Sequence, residues 1–247
     1  MKRVIISTFV MLLPFLAFTQ NKTYLGVETG PKFERYQYTD NGDGLYTPPF
    51  FFSPIVGFTI GQELNKRLTA ETGFYLNNYG ESYRIRGEGF GYRVSDAYLA
   101  FQIPLRLKAR FQVIKERLSI VPSIGFILAI NNNFGSTGSG HSFTISSGLQ
   151  QNDSTRTQES STYSLTKTYG LVEAGLAVEY TIKKPLILYL ATNYAAGWNR
   201  VVEMDVQYWI NDGPEQTGMV YSNGGYYSLV FGVKCDISNL WTHSQDE

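Results

Sequence analysis

From Leu99 to Lys108 the chain alternates without a fault. Leu99, Phe101, Ile103, Leu105 and Leu107 are large and apolar, while Ala100, Gln102, Pro104, Arg106 and Lys108 between them are small or polar. A helix would scatter both sets around its axis, whereas a strand places one set on each face. Seven more segments repeat the pattern. Their apolar sets are Leu25, Val27, Phe33; Val56, Phe58, Ile60; Leu68, Ala70, Phe74, Leu76; and Leu118, Ile120, Ile124, Phe126, Leu128. Then come Val172, Ala174, Leu176, Val178, Tyr180; Leu186, Leu188, Leu190, Tyr194; and Tyr227, Leu229, Phe231, Val233, Ile237. Pro54 and Ile55 blur the phase of the second segment, and helical periodicity is almost absent.

The links between these segments alternate in length. Long links at 39–50, 80–92, 131–163 and 198–225 alternate with short ones at 64–67, 110–117 and 181–185. An even number of strands with loops sorted by length onto two ends describes a closed antiparallel up-and-down barrel with both termini at one end. The link 131–163 is dominated by Ser, Thr, Gly, Asn and Gln and reads as a mobile loop too polar to build a core. A count of ten strands, drawing on 143–149 as part of an extra hairpin, stays open. In the last long link, Val206, Tyr208 and Ile210, the turn residues Asn211-Asp212-Gly213, then Met219 and Tyr221 predict a hairpin continuing the last two strands.

Volume decides which face points out. A lipocalin-like soluble barrel would turn its apolar face inward, but an eight-stranded barrel has room inside for only a modest set of side chains. The opposite phase suits a crowded lumen, for it holds Gly26, Gly30, Gly57, Gly61, Gly73, Gly125, Gly175 and Gly232. It also carries Glu28, Glu34, Glu71, Glu173, Glu179 and Asp236 against Lys32, Arg106, Lys108 and Lys234. Isolated buried charges are costly, so these must pair or be hydrated. The candidate site is therefore a structural lumen charge network of Glu28, Lys32, Glu71, Arg106, Lys108, Glu173, Glu179 and Lys234. Mixed signs fit a polar plug better than an ion-selective pore. The apolar phase then faces lipid, and the fold class is all-β, a transmembrane β-barrel of about eight strands with short periplasmic turns and long external loops. Tyr24, Tyr180, Tyr227, Tyr79, Tyr92, Tyr98, Tyr194 and Trp198 lie mostly near strand ends and are expected to form aromatic girdles.

The N-terminus supports export. Lys2 and Arg3 precede an apolar run from Val4 to Phe18 broken by Pro14, with small residues before Gln20. That is the order of a secretory signal peptide, and the run is shorter than the roughly 20 apolar residues of a spanning helix. The domain expectation is a signal peptide at 1–19, a barrel at 20–237 and a polar tail at 238–247. With 17% charged residues, 15% aromatics and no formal net charge, the chain offers no basic block for nucleic acid. The lone cysteine, Cys235, falls in the lipid-facing phase and can form no intrachain disulfide.

Chemistry is sparsely represented. His141, beside Ser142 in the third long link, and His243 in the tail are the only histidines, and neither sits on a strand near a girdle. A lipid hydrolase needs a histidine with Ser and a carboxylate in reach, so no enzyme is expected. The stretch Asp40-Asn41-Gly42-Asp43-Gly44 resembles part of a calcium loop, but aligning Gly44 at the sixth position sets Thr39 and Phe50 where Asp and Glu are needed. It reads as a flexible turn. No cofactor, metal or phosphate-loop pattern is expected.

Residues 98–108, reading Tyr-Leu-Ala-Phe-Gln-Ile-Pro-Leu-Arg-Leu-Lys, resemble a strand of the PorT-like outer-membrane β-barrel family of Bacteroidota, a small barrel of the OmpA/OmpX type. Residues 170–180, reading Gly-Leu-Val-Glu-Ala-Gly-Leu-Ala-Val-Glu-Tyr, are similar to its glycine-spaced later strand. Residues 189–198 and 226–237 fit as well, so the likeness covers the mature chain through strand patterns rather than sites. It implies an eight-strand barrel in the cell outer membrane, and some relatives act in type IX secretion or gliding. The tail beyond Ile237 departs from members that end near an aromatic strand terminus. The expected partners are outer-membrane lipid and other envelope proteins met through the external loops or barrel wall, with no nucleic acid. The expected function is a structural or protein-interaction role in the envelope. A narrow passive channel for small solutes and a lipid-modifying enzyme are the alternatives.

Overall fold

The computed structural model describes residues 22–42, 44–46, 50–85, 92–132, 141–146, 155–183, 185–210 and 213–238. The expected signal peptide at 1–19 and the tail from 239 onward lie outside the described residues. In chain order the strands are β1 (Thr23–Arg35), β2 (Gln37–Asp40), β3 (Leu45–Tyr46), β4 (Phe50–Glu63), β5 (Leu68–Ile85), β6 (Tyr92–Ala109), β7 (Phe111–Ile114) and β8 (Leu118–Asn131). They continue as β9 (His141–Ser146), β10 (Thr155–Ser164), β11 (Thr168–Lys183), β12 (Leu186–Ala196), β13 (Val202–Ile210), β14 (Gln216–Ser222) and β15 (Tyr226–Asp236).

Eight of these close a barrel in which every pair is antiparallel. β1 pairs β4, then β5, β6, β8, β11, β12 and β15 follow in turn, and β15 returns to β1 through Leu25↔Cys235 and Val27↔Val233. These eight are the segments read from the alternation. Closure leaves no free edge, which satisfies every barrel strand on both sides. The first and last barrel strands meet at the short-turn rim, where Ile237 N–H donates to the Thr23 carbonyl at 2.9 Å and Thr23 N–H to Ser238 Oγ at 2.8 Å. Asn65 caps the first short turn by accepting from the Arg67 and Leu68 amides, each at 2.8 Å.

The apolar phase points outward on every barrel strand. Ile124 is 67% exposed, Phe231 59% and Leu105 57%, while Gly232 beside Phe231, Arg106 beside Leu105 and Val121 on the strand of Ile124 face the interior. Tyr180, Tyr194, Tyr227 and Trp198 are also exposed, with the Tyr194 and Tyr227 rings 4.7 Å apart. Tyr24 departs from the girdle expectation, because it is buried in the lumen. Its even-numbered phase is that of Glu28 and Lys32, and period 2 overrides proximity to a strand end. The side chains of Tyr79, Tyr92 and Tyr98 lie outside the described ones.

The long-link end departs from the loop reading. A second, five-stranded sheet in the order β2-β14-β13-β10-β9 stands there as a cap. The hairpin expected in 198–225 exists as β13–β14, with Met204↔Val220 and Val206↔Gly218 opposite. It belongs to the cap rather than extending the barrel's own ladder. The polar link 131–163 also contributes strands, β9 and β10, and β10 pairs β13 from Ser164↔Val202 to Arg156↔Ile210. Its hairpin therefore adds to the cap, and the barrel count stays at eight. The link 80–92 is shorter than read, since β5 runs on to Ile85 and β6 starts at Tyr92.

The cap has its own core of Tyr36, Leu45, Tyr83, Ile85, Met204, Val206, Tyr208 and Val220. Tyr83 and Ile85 come from the projecting end of β5, so the barrel wall supplies one side of this core and the new sheet the other. A second cluster joins cap to barrel: Val201 and Val202 pack with Ala100, Ile127, Ala129, Tyr169, Leu171, Ala195 and Tyr226 across the lumen's upper end. Gly224, at φ 74°, makes the tight return into β15, and a Cβ there would stand 2.8 Å from the Tyr169 ring.

Because the two cores are separate, they should fail separately. Met204→Asp buries a carboxylate in the cap core, at a cost of several kcal/mol. Limited proteolysis should then cut within 155–222, while the barrel keeps its heat-modifiable migration on unboiled gels.

Candidate functional site: the lumen charge network

β6 aims Arg106 and Lys108 inward at the middle and lower lumen, because Leu105 and Leu107 occupy the outward phase. Glu71 on β5 lies directly opposite Arg106 in the ladder, and Gly125 on β8 flanks it on the other side. Arg106 is the hub. Its Nε and Nη2 donate to Glu173 Oε2 and Oε1 at 2.7 and 2.9 Å, a two-point grip on the carboxylate of β11. Its Nη1 reaches the Tyr75 hydroxyl at 2.6 Å, Glu71 Oε1 at 3.2 Å and Glu28 Oε1 at 3.6 Å. Planar guanidinium with fixed forked donors suits such multiple recognition, where an ammonium could not reproduce it.

Below the hub, Lys108 Nζ sits 2.6 Å from Glu71 Oε1. Lys234 on β15 binds Glu179 Oε1 at 2.6 Å and approaches Glu71 Oε2 at 3.9 Å. Arg110, after the end of β6, closes the lower edge by contacting Glu179 Oε2 at 2.8 Å and Glu63 Oε1 at 3.2 Å. Seven of the eight residues named from sequence thus join one continuous network. Lys32 stands apart at the upper level, held at 3.1 Å by both Glu34 and Asn77, with the Tyr36 hydroxyl donating to Glu34 at 2.8 Å. Asp236 is not in the network at all; it is half-buried at the rim and accepts from the Ser238 amide and hydroxyl.

Three tyrosines complete the arrangement, and sequence reading missed their role. The Tyr75 hydroxyl donates to Glu28 Oε1 at 2.5 Å, Tyr189 donates to Glu28 Oε2, and Tyr24 donates to Glu71 Oε2 at 2.6 Å. Each ring lies over a glycine directly opposite on the neighbouring strand: Tyr75 on Gly57, Tyr24 on Gly61, Tyr189 on Gly232. A Cβ on those glycines would stand 2.1, 2.2 and 2.5 Å from the ring atoms. The missing side chain is thus the space that lets a phenol lie flat across the wall and aim its hydroxyl at a carboxylate. Lys234 Nζ also lies 4.7 Å from the Tyr24 ring centre and 4.5 Å from that of Tyr189. Alternation at the tyrosines, opposite small residues on adjacent strands, was the available signal.

The arrangement is charge-balanced where it is densest. Glu28, Glu71, Glu173 and Glu179 face Arg106, Lys108 and Lys234 together with Arg110, which is shared at the lower edge with Glu63, and Lys32 and Glu34 are a further pair. An apolar layer of Ile55, Val121, Ala177, Ala191 and Val230 surrounds Tyr75 and Tyr189. Chemically, this is a cross-strand clamp spanning β1, β5, β6, β11, β12 and β15.

A smaller polar site orders the turn read as a partial calcium loop. Asp40 accepts from the Gly42 and Leu45 amides at 3.2 and 2.6 Å and from the Tyr208 hydroxyl at 2.8 Å. Asp40 thus serves as a backbone cap at the start of this turn. Burial first, and then the hydrogen bond to Asp40, push the Tyr208 phenol up to about 12. The side chain of His141 and all of His243 lie outside the description, and Cys235 is half-buried.

The chain is similar to several solved structures. Neisserial surface protein A (NspA) aligns at TM-score 0.45 and 10% identity, over 86% of this chain and 96% of that one. The N-terminal β-barrel domain of Pseudomonas aeruginosa OprF aligns at TM-score 0.40 and 8% identity, over 88% and 99%. Ail, the attachment invasion locus protein of Yersinia pestis, aligns at TM-score 0.35 and 10% identity, over 86% and 99%. No family model matches the chain, and no curated protein matches it.

Two outcomes follow from this geometry. Arg106→Met strips Glu173 of its grip and should destabilise the folded barrel by about 3–5 kcal/mol, whereas adding Glu173→Met should recover much of that loss. The urea midpoint for loss of the heat-modifiable band reads both. For Tyr208, a phenol raised in the folded state gives stability that is full below the ordinary value near 10 and is lost as pH climbs toward 12. The tyrosinate absorbance of the native protein should therefore lose a component that titrates near pH 12 in Tyr208→Phe, and the variant's cap should be less sensitive to alkali.

Proposed function

We propose that this chain is an integral outer-membrane β-barrel protein with a structural or protein-interaction role in the cell envelope, exported through a cleaved segment at 1–19. The observation that carries the reading is the uninterrupted outward apolar wall around a closed barrel whose inside is filled by paired charges. Soluble monomers rarely present apolar patches beyond a few hundred Å², and a wall of Phe, Leu, Ile and Val on all eight strands far exceeds that. Lipid is the solvent that suits it, and only closed barrels and helices satisfy their backbone there.

The lumen supports a non-conducting role. Ion pairs and phenols cross the bore between opposite strands, and the apolar cluster around Leu171 and Tyr226 closes its upper end. The cap offers a rigid surface outside the membrane for other envelope proteins. The PorT-like strand patterns favour a place in a secretion or gliding-type assembly of Bacteroidota, and no enzymatic activity is proposed.

Three measurements test this. The protein should fractionate with outer membranes and run faster unboiled than boiled. Purified protein in planar bilayers should be electrically silent across the voltage range; steady unitary conductance would return the channel reading. Native-membrane extraction should bring down envelope partners, and a strictly monomeric, partner-free particle would remove the interaction role.

A further inference from the structure

The absence of net charge conceals a separation along the barrel axis. Lys66 and Arg67 form the turn between β4 and β5, Lys115 and Arg117 that between β7 and β8, and Lys183 ends β11 with Lys184 following in sequence. Lys22 precedes β1. Lys22, Lys66, Arg67, Lys115, Arg117 and Lys183 are all exposed, and none has an ion pair among the described residues. Nearby acids are mostly engaged elsewhere: Glu63 by Arg110 and Asp236 by Ser238, leaving Glu116 at the tip of one turn. At the opposite end the sign reverses, since the link 198–225 sets Arg200 against Glu203, Asp205, Asp212 and Glu215.

Around the circumference these cations occupy all four junctions of the short-turn rim, β4–β5, β6–β8, β11–β12 and β15–β1. Each of the three turns also adjoins exposed apolar side chains: Leu64 beside Lys66, Val113 and Ile114 beside Lys115, Ile182 beside Lys183. The cations therefore lie where the apolar wall ends.

We propose that this rim is a basic collar that binds the phosphate headgroups of anionic phospholipids in the leaflet holding the short turns. The inference rests on the membrane reading above. Ammonium and guanidinium groups donate to phosphate oxygens in charge-assisted bonds, and a cation close to an anionic lipid surface shifts partition by up to about fivefold. The distribution favours lipid over a soluble polyanion. A folded partner would meet one patch, whereas charges spaced around a ring beside the apolar wall match an annulus of lipid.

The test reconstitutes the full mature chain into vesicles of mixed phosphatidylcholine and phosphatidylglycerol, then extracts it gently and quantifies the bound lipids by native mass spectrometry. Phosphatidylglycerol should be enriched several-fold over its bulk fraction, and raising NaCl from 0.1 to 0.5 M during extraction should erode that enrichment. The variant K22Q/K66Q/R67Q/K115Q/R117Q/K183Q should bring enrichment close to the bulk ratio while keeping heat-modifiable migration. Equal lipid composition in wild type and folded variant, or enrichment indifferent to salt, overturns the collar. So does tighter capture of soluble polyglutamate than of the anionic lipid, which assigns the rim to a macromolecular partner. Loss of heat-modifiable migration by the wild type in these vesicles instead counts against the membrane reading, so the two failures are distinguishable. If the variant does not fold, the wild-type salt series still decides.

Discussion

The bore of an eight-stranded barrel is narrow, and that limit governs everything else in this molecule. Strand geometry sends every second side chain inward, so the lumen must absorb half of each strand in a space barely wide enough for side chains. The chain meets this by pairing large with absent. Tyr24, Tyr75 and Tyr189 occupy room vacated at Gly61, Gly57 and Gly232, and the hydroxyls so delivered are the donors that Glu28 and Glu71 need. Packing and polar satisfaction are here one solution. Enlarging any of these glycines would cost both at once.

Buried ion pairs are poor sources of net stability, since desolvation offsets most of their attraction. Specificity is the better account of why so many are retained. A one-residue slip in a strand of period 2 exchanges its two faces. Were both faces apolar, a slipped β5 or β11 would differ little in energy from the correct one. With Glu71 and Glu173 on the inner face, a slip would thrust a carboxylate into the wall and strand Arg106 without its partners. The charges therefore fix register and inside-out orientation together, and Arg106, touching residues of three other strands, links those choices across the bore.

The same periodicity explains what could be read from sequence. Leu99 to Leu107, or Leu186 to Leu190, announce a strand because alternation is local, and the inward phase of Glu28, Lys32 and Arg106 follows from parity alone. Which carboxylate meets which cation is not local: Arg106 and Glu173 are far apart in sequence and meet only after β8 and β11 pair. Tyr24 was misassigned because position near a strand end was weighed above parity. β10 escaped notice for a different reason. Its buried face holds Ser160 and Thr162, so it shows no apolar stripe, and the hydrophobic side chains of the cap core come from β13, β14, the projecting end of β5, Leu45 of β3 and Tyr36 between β1 and β2.

That division of labour between wall and cap has a mechanical consequence. A cap built only from its own loop residues could swing freely on its tethers. Here Tyr83 and Ile85 are continuous with a barrel strand, and Val201 and Val202 are keyed into the apolar layer over the lumen. Any load on β13 or β14 must therefore pass into β5 and into the cluster around Leu171 and Tyr226, rather than into a hinge. Because the bore beneath is bridged from wall to wall by Arg106 and its carboxylates, the load stops in a stiff cylinder. Cap and filled barrel are thus joined at two places, along the projecting end of β5 and through the cluster around Leu171 and Tyr226.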